Sequence, residues 1–399
     1  MRRWLSLSEP GNEGIYLTFN FFLLEFSEGA MLFQIRPMRQ ALLLPLIAFS
    51  VSVAGCGSQT KTPTSPTGTG SSPSTPVAAG SSVTLTGAGA SFPAPLYQRW
   101  FAEYGKSNPK TQINYQSVGS GAGVKQFISG TVDFGASDVA MKEDEIKQVA
   151  KGAVLLPMTA GSIVFAYNLP DVSSGIKLSR QVYADILLGK ITNWNDPKIA
   201  EINAGVKLPD KPITVVHRSD GSGTTAVFTK HLSAVSPEWK AGPGEGKTVE
   251  WPQGQGFVGA KGNEGVTAQI LQTEGAIGYV EYGYAKQQNL KMAALENKAG
   301  KYVEPTPEAA AKTLAAVQLP ENLVKFIEDP EGESSYPIVS YTWIMAYKEY
   351  DSADKAKALK DVLKWGLADG QRLSSELGYV PLPPEVVTKV TAAVETIKP

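Results

Sequence analysis

Downstream of residue 82 the chain alternates short β-branched or aromatic runs with longer stretches whose apolar side chains recur every three or four positions. The runs have the character of buried strands, and the longer stretches that of helices lying on a core. Residues 132–137, 163–167, 213–216, 276–280 and 341–347 read as strands. Helices are expected over 180–188, with Val182, Ile186 and Leu187 on one side, over 353–367 and over 384–397. Leu96, Tyr97, Trp100, Phe101 and Tyr104 mark the apolar face of another. Pro93 and Pro95 suit its first turn, where no backbone donor is needed. Such alternation predicts an α/β architecture with mainly parallel sheets, in which ligands bind at the carboxyl ends of strands. No internal repeat of fixed period is present.

Three of the predicted strand-to-helix junctions share one composition. Arg218-Ser219-Asp220-Gly221-Ser222-Gly223-Thr224-Thr225 follows a β-branched run and precedes a helix carrying Val227, Phe228 and Leu232 inward. Thr86-Gly87-Ala88-Gly89-Ala90-Ser91-Phe92-Pro93 and Ser117-Val118-Gly119-Ser120-Gly121-Ala122-Gly123 have the same form. At such a junction free backbone N–H groups and the positive end of the helix dipole favour a small anion, and glycine lets it approach. Arg218 adds a planar fork of donors that matches two oxygens of a tetrahedral oxyanion. One loop alone could be an ordinary turn whose Arg218 and Asp220 form a surface pair; three hydroxyl-bearing helix starts point to a shared site, in a cleft between two lobes.

Charge places a limit on how that anion is caught. The chain carries 37 Lys+Arg against 38 Asp+Glu, a formal net charge of −1, and no basic stripe that would suit nucleic acid. Capture must therefore rest on local hydrogen bonds and one or two placed charges. The two histidines, His217 and His231, have no acidic or cysteine neighbours at ligand spacing, so no metal and no cofactor is expected. Gly242-Pro243-Gly244-Glu245-Gly246-Lys247-Thr248 ends like a nucleotide P-loop, but Ala241 stands where its first glycine belongs and no apolar strand precedes it. It is expected to be a surface loop. Trp194, Trp239, Trp251 and Trp343 are assigned to packing rather than to a sugar-binding platform.

The N-terminal part reads as non-globular. Residues 39–56 have a basic start, a short apolar run and a small-residue end, the pattern of an export signal. Val53-Ala54-Gly55-Cys56 resembles the bacterial lipobox, which implies a diacylated Cys56 as the mature N-terminus. The 37 residues before Met38 fit a signal poorly, and a true translation start at Met38 or Met31 is expected. Residues 57–82 are almost wholly Ser, Thr, Pro, Gly and Ala and form a tether. With a single cysteine no intramolecular disulfide is possible. The expected division is 1–55 signal and upstream extension, 56–82 lipidated cysteine and tether, 83–164 and 286–399 one lobe, 165–285 the other.

The three glycine-hydroxyl loops, with Val132-Asp133-Phe134-Gly135-Ala136-Ser137-Asp138, Gly259-Ala260-Lys261-Gly262-Asn263-Glu264-Gly265 and Gly275-Ala276-Ile277-Gly278-Tyr279-Val280-Glu281-Tyr282, resemble the high-affinity phosphate-binding proteins of the phosphate-specific ABC transporter. The resemblance runs in order from about Val83 to the C-terminus. It implies a type II periplasmic-binding-protein fold, two α/β lobes joined by a hinge with crossings near 163–168 and after Tyr282. It also implies a phosphate site made of the Ala90-Ser91-Phe92 turn, Ser120, Asp138, Arg218, Ser222, Gly223 and Thr224, with serine at position 91 where the family usually has threonine. The chain would be a lipid-anchored monomer in the cell envelope, passing phosphate to a membrane permease.

Each implied role has a chemical reason. Ser91, Ser120, Ser222 and Thr224 can donate hydroxyl hydrogen bonds, and the N–H groups of Phe92 and Gly223 can be aimed at the same anion. Asp220 can hold the Arg218 guanidinium. Asp138 selects the ligand: a buried carboxylate repels an anion unless the anion brings a proton, which hydrogen phosphates carry and sulfate does not. As an alternative, Asp138 could cap a helix over 141–150. A second class of function, an exported phosphate-ester hydrolase with Ser222 as nucleophile and His217 as base, stays open, although Gly-x-Ser-x-Gly is absent around Ser222.

Overall fold

The computed structural model describes residues 82–254 and 256–399. The signal, Cys56 and the tether up to residue 81 lie outside the described residues. The strands are β1 (Val83–Gly89), β2 (Thr111–Ser117), β3 (Phe134–Ser137), β4 (Ala153–Tyr167), β5 (Lys177–Leu178), β6 (Thr214–Arg218), β7 (Phe257–Ala260), β8 (Ala276–Glu281), β9 (Lys291–Met292), β10 (Ala294–Glu296), β11 (Tyr302–Val303) and β12 (Val339–Tyr347). Among the described residues, one mixed sheet runs β2-β1-β3-β12-β4-β8-β6-β7, with β9 beside β4, and β11-β10-β5 form a small second sheet.

The large sheet has two halves. β2, β1 and β3 are parallel to one another, as are β7, β6 and β8. Between them the order is antiparallel, because β12 pairs with both β3 and β4, and β4 with β8. The expectation of mainly parallel sheets therefore holds only for the two outer groups. Its failure has a plain cause: β4 and β12 cross between the halves, and each runs against the outer group it enters, β4 against β8 and β12 against β3.

β4 is the crossing element. It pairs with β12 from Ala153 to Ser162 and with β8 from Ile163 to Tyr167. Its residues are buried almost throughout, as are all nine of β12, so both read as near-continuous apolar runs covered on two faces. A register shift between Thr342 and Trp343 lets β12 pass the stretch of β4 that contains Pro157, which cannot donate to a ladder. The sequence pattern recognised only residues 163–167 of this strand.

The chain does not return to the first half directly after residue 285. β9 pairs with β4 at Tyr167 and Ala166, and β10 pairs with β5, before β12 re-enters the centre of the sheet. A boundary at 285 thus falls short of pairings that keep residues 291–296 with the second half. Helices cover the strands. Ala94–Ser107 buries Leu96, Tyr97, Trp100, Phe101 and Tyr104, the face its spacing predicts, and Ala353–Leu367 has the predicted bounds.

Candidate functional site

The carboxyl ends of β1, β2, β3, β6 and β7 all lead into loops that meet between the two halves. Contact there is direct. Gly121 N donates to Gly221 O at 2.7 Å, joining the loop after β2 to the loop after β6. Gly119 holds a left-handed φ of 86° beside the Asp220 carboxylate, and a Cβ at Gly223 would lie 2.3 Å from Ser120 Oγ and 2.7 Å from Asp138 Oδ2. Only glycine at 223 permits this approach.

The four predicted hydroxyls are buried and share a pattern. In each, the oxygen accepts a hydrogen bond from at least one N–H group, which favours the hydroxyl as a donor on its other side. Ser91 Oγ accepts from Asn263 N at 3.0 Å and Asn263 Nδ2 at 2.9 Å. Thr224 Oγ1 accepts from Asn263 Nδ2 at 3.1 Å. Ser222 caps the helix Gly223–Val235, its Oγ accepting from Thr225 N at 3.0 Å, and its own N donates to Lys247 O at 2.9 Å. Ser120 Oγ accepts from Asp138 N at 3.3 Å. The N–H groups of Gly223 and Thr224 belong to the first turn of that helix, which has no intrahelical acceptor for them. The Ala90 and Phe92 backbones hold the first loop: Ala90 N donates to Ala136 O, and Phe92 O accepts from Tyr379 Oη at 2.7 Å. Ala90 therefore contributes position and no free donor.

Asp138 sits at the end of β3 and is not a helix cap. The helix expected over 141–150 is the single turn Glu143–Lys147, capped by Lys142. The Asp138 carboxylate instead accepts from Thr342 Oγ1 at 2.9 Å and, at the long distances of 3.4 and 3.5 Å, from Thr224 and Ser120. Burial pushes its pKa up to about 6, against the lowering influence of Thr342 and Arg218. Near neutral pH it is mainly an acceptor-only carboxylate facing donors.

Arg218, 4 % exposed, gives Nε and Nη2 to the two oxygens of Asp220 at 2.7 and 2.6 Å. Against the cost of its own burial, Asp220 is held below the usual carboxylate range by that guanidinium, and its Oδ1 also accepts from Gly262 N. The pair fixes the plane of the fork. Arg218 Nη1 is buried and meets no acceptor among the described residues. A buried cationic donor left in that state is costly, so the arrangement calls for an anion.

Comparison with known proteins bears this out at the level of family. Residues 61–369 match the PBP superfamily domain. A phosphate-binding protein PstS of Pasteurella multocida is 46% identical over 316 residues, which are 78% of this chain and 90% of that protein. The chain belongs to the PstS family of phosphate-binding proteins. A PstS of Xylella fastidiosa is 43% identical over 314 residues, covering 78% of this chain and 85% of its own. The fold is shared with a high affinity periplasmic phosphate-binding protein solved with phosphate bound, at 21% identity and a TM-score of 0.66 over 78% of this chain and 93% of that one.

Three contributors to this candidate site in the PstS-family chain carry no signal that the sequence reading could use. Asn263 follows β7 and opens the helix Gly262–Gln272, a fourth junction of the same design; the Gly259–Gly265 run carries part of the family resemblance but no implied ligand. Thr342 lies inside β12, where nothing in a buried strand sequence marks it. Lys247 contributes a carbonyl, from the loop whose sequence imitates a P-loop; that loop opens no helix. His217, the imagined base for Ser222, points elsewhere: its Nδ1 lies 3.0 Å from Arg218 O and its ring stacks on Trp251 at 4.8 Å. His231 is a core residue between Tyr183 Oη and Glu328 O, its pKa pushed by burial down to about 4.

Proposed function

We propose that this chain is a receptor for inorganic phosphate, bound by Ser91, Phe92 N, Ser120, Asp138, Arg218, Ser222, Gly223 N and Thr224. The unpartnered Nη1 of Arg218, set among hydroxyls that each accept a hydrogen bond from an N–H group, carries the reading. Donors alone would suit any oxyanion. Asp138 narrows the choice to one that brings a proton, because a site built around that hydrogen bond penalises an isostere unable to make it.

Membership of the PstS family supports delivery of phosphate to an ABC importer outside the cytoplasmic membrane. Lipid attachment at Cys56, monomeric state and a discontinuous first lobe complete the proposal. No helix among the described residues is long and apolar enough to cross a membrane. His217 is engaged with Arg218 O and the Trp251 ring and not with Ser222, whose Oγ caps a helix, which favours binding over ester hydrolysis.

The test is calorimetric titration of protein stripped of phosphate by unfolding and refolding, first with phosphate and then with sulfate. Phosphate heat with little sulfate heat is expected. Binding of both alike, or turnover of a chromogenic phosphate ester, overturns the proposal.

A further inference from the structure

Asn263 has every hydrogen-bonding group of its side chain committed, and each in one sense only. Its Oδ1 accepts from the backbone N of Glu281 at 2.9 Å. That N–H can only donate, so it fixes which end of the amide is oxygen. The opposite end, Nδ2, therefore has two protons to give, and it gives one to Ser91 Oγ and one to Thr224 Oγ1. The two hydroxyls come from different halves of the sheet, following β1 and β6. Ser91 Oγ receives a further bond from Asn263 N, so both its lone pairs are used.

A hydroxyl that accepts on its oxygen must place its own proton somewhere else. We propose that Asn263 is a positioning residue that sets the polarity of the anion site: it fills both lone pairs of Ser91 Oγ and one of Thr224 Oγ1, so that both hydroxyls serve as donors, Ser91 toward the anion and Thr224 toward the anion or its 3.4 Å neighbour Asp138 Oδ2. Without it each hydroxyl could rotate and present a lone pair, which an oxyanion repels. The residue is 0% exposed and lies beyond the hydroxyls, acting through them. This inference rests on the phosphate reading and adds to it the reason that serine and threonine, amphoteric by themselves, discriminate in favour of an acceptor-rich ligand.

The experiment is a mutant cycle on full-length, stripped protein titrated with inorganic phosphate by calorimetry. Asn263→Ala should weaken binding about tenfold or more, since two hydrogen bonds to a charged ligand lose their orientation. In a Ser91→Ala/Thr224→Val background the same substitution should change the affinity by less than about twofold, because the groups it acts through are gone. An equal loss in both backgrounds overturns the inference and leaves Asn263 a purely structural residue. Asn263→Asp guards against a folding defect: it keeps the acceptor for Glu281 N but turns the donor end into an acceptor. Cooperative melting of this variant with at least a tenfold loss of phosphate affinity supports the proposal; wild-type affinity overturns it. Failure of the wild type itself to bind phosphate overturns the receptor reading and this inference together.

Discussion

Asp138 carries the most testable chemistry at the scale of single residues, because in the proposed site its protonation would govern both selectivity and stability. With burial raising its pKa to about 6, the carboxyl becomes a donor as pH falls through that value. A protonated Asp138 can serve sulfate as well as an ionised one serves hydrogen phosphate. The affinity gap between the two anions should therefore narrow between pH 8 and 5, as read by titration with each, and Asp138→Asn should narrow it at every pH. A gap unchanged in the variant would show that Asp138 is not the discriminating acceptor. Glu281 is a second buried acid, raised by burial to about 8, with Oε1 accepting from Gly283 N and Oε2 unpartnered. Between the ordinary carboxylate range and these raised values, both acids hold more protons folded than unfolded. Stability of the phosphate-free protein should thus be greatest at the acidic end and fall as pH rises from about 4 to 8 on their account; for Asp138 the shift corresponds to about 3 kcal/mol. Asp138→Asn should accordingly raise the melting temperature of stripped protein at pH 8 more than at pH 4.5. Arg218→Ala should act without selectivity, weakening every oxyanion by on the order of 2–5 kcal/mol, the cost of truncating one member of a buried charge pair.

Secondary-structure elements supply the site by repeating one junction, a parallel strand ending in a small-residue loop that starts a helix. Ser91, Ser120, Ser222 and Asn263 all stand at such junctions, and Asp138 at a strand end without a helix of its own. Composition made three of the four visible. Lys261-Gly262-Asn263 has no hydroxyl, so the same test passed over it. Gly223 separates the demands of the element from those of the site. Alanine at this first helical position suits the helix, but its Cβ would strike Ser120 and Asp138 in the opposite half. Gly223→Ala is expected to leave stripped protein at least as stable by thermal melting while reducing phosphate affinity at least a hundredfold. Equal losses in both would mean that the close approach is a folding requirement. The long strand β4 was legible only in part, since Pro157, Thr159 and Gly161 interrupt its apolar run and the pairing with β12 that carries the strand through them joins residues far apart in the chain, Pro157 with Trp343 and Gly161 with Ser340.

At the scale of the whole molecule, bonds across the cleft describe a closed arrangement. Besides the Gly121–Gly221 bond, Lys247 Nζ lies 3.5 Å from Glu145 Oε1 and Ser117 Oγ donates to Glu264 Oε1 at 3.2 Å. Near the former opens a 490 Å³ hollow lined by Val139, Met141, Lys142, Ala226, Lys230 and Phe326 among others. Because the proposed ligating groups come from both halves, phosphate should favour this closed form, and small-angle scattering should show compaction when it is added to stripped protein. An unchanged radius of gyration at saturation would remove the hinge from the mechanism. The proposed lipid attachment at Cys56 belongs to this scale as well, since it would decide where the receptor works. Intact-mass measurement of membrane-extracted protein should give a lipidated Cys56 as first residue, and Cys56→Ala should release a folded domain.

What the amino-acid sequence determined by itself was local: the alternation of strand and helix, the anion-binding character of glycine-hydroxyl helix starts, and the Arg218–Asp220 pair two residues apart. These follow from composition and spacing within a few residues, where backbone geometry and side-chain chemistry are set by near neighbours. Tertiary structure decided the rest. It turned the middle of the sheet antiparallel, made Asp138 a buried acceptor held by Thr342 from 204 residues away, and placed Asn263 behind Ser91 and Thr224. Such contacts join residues that no local pattern relates. Their energy comes from burial, which exists only once both halves of the sheet have met.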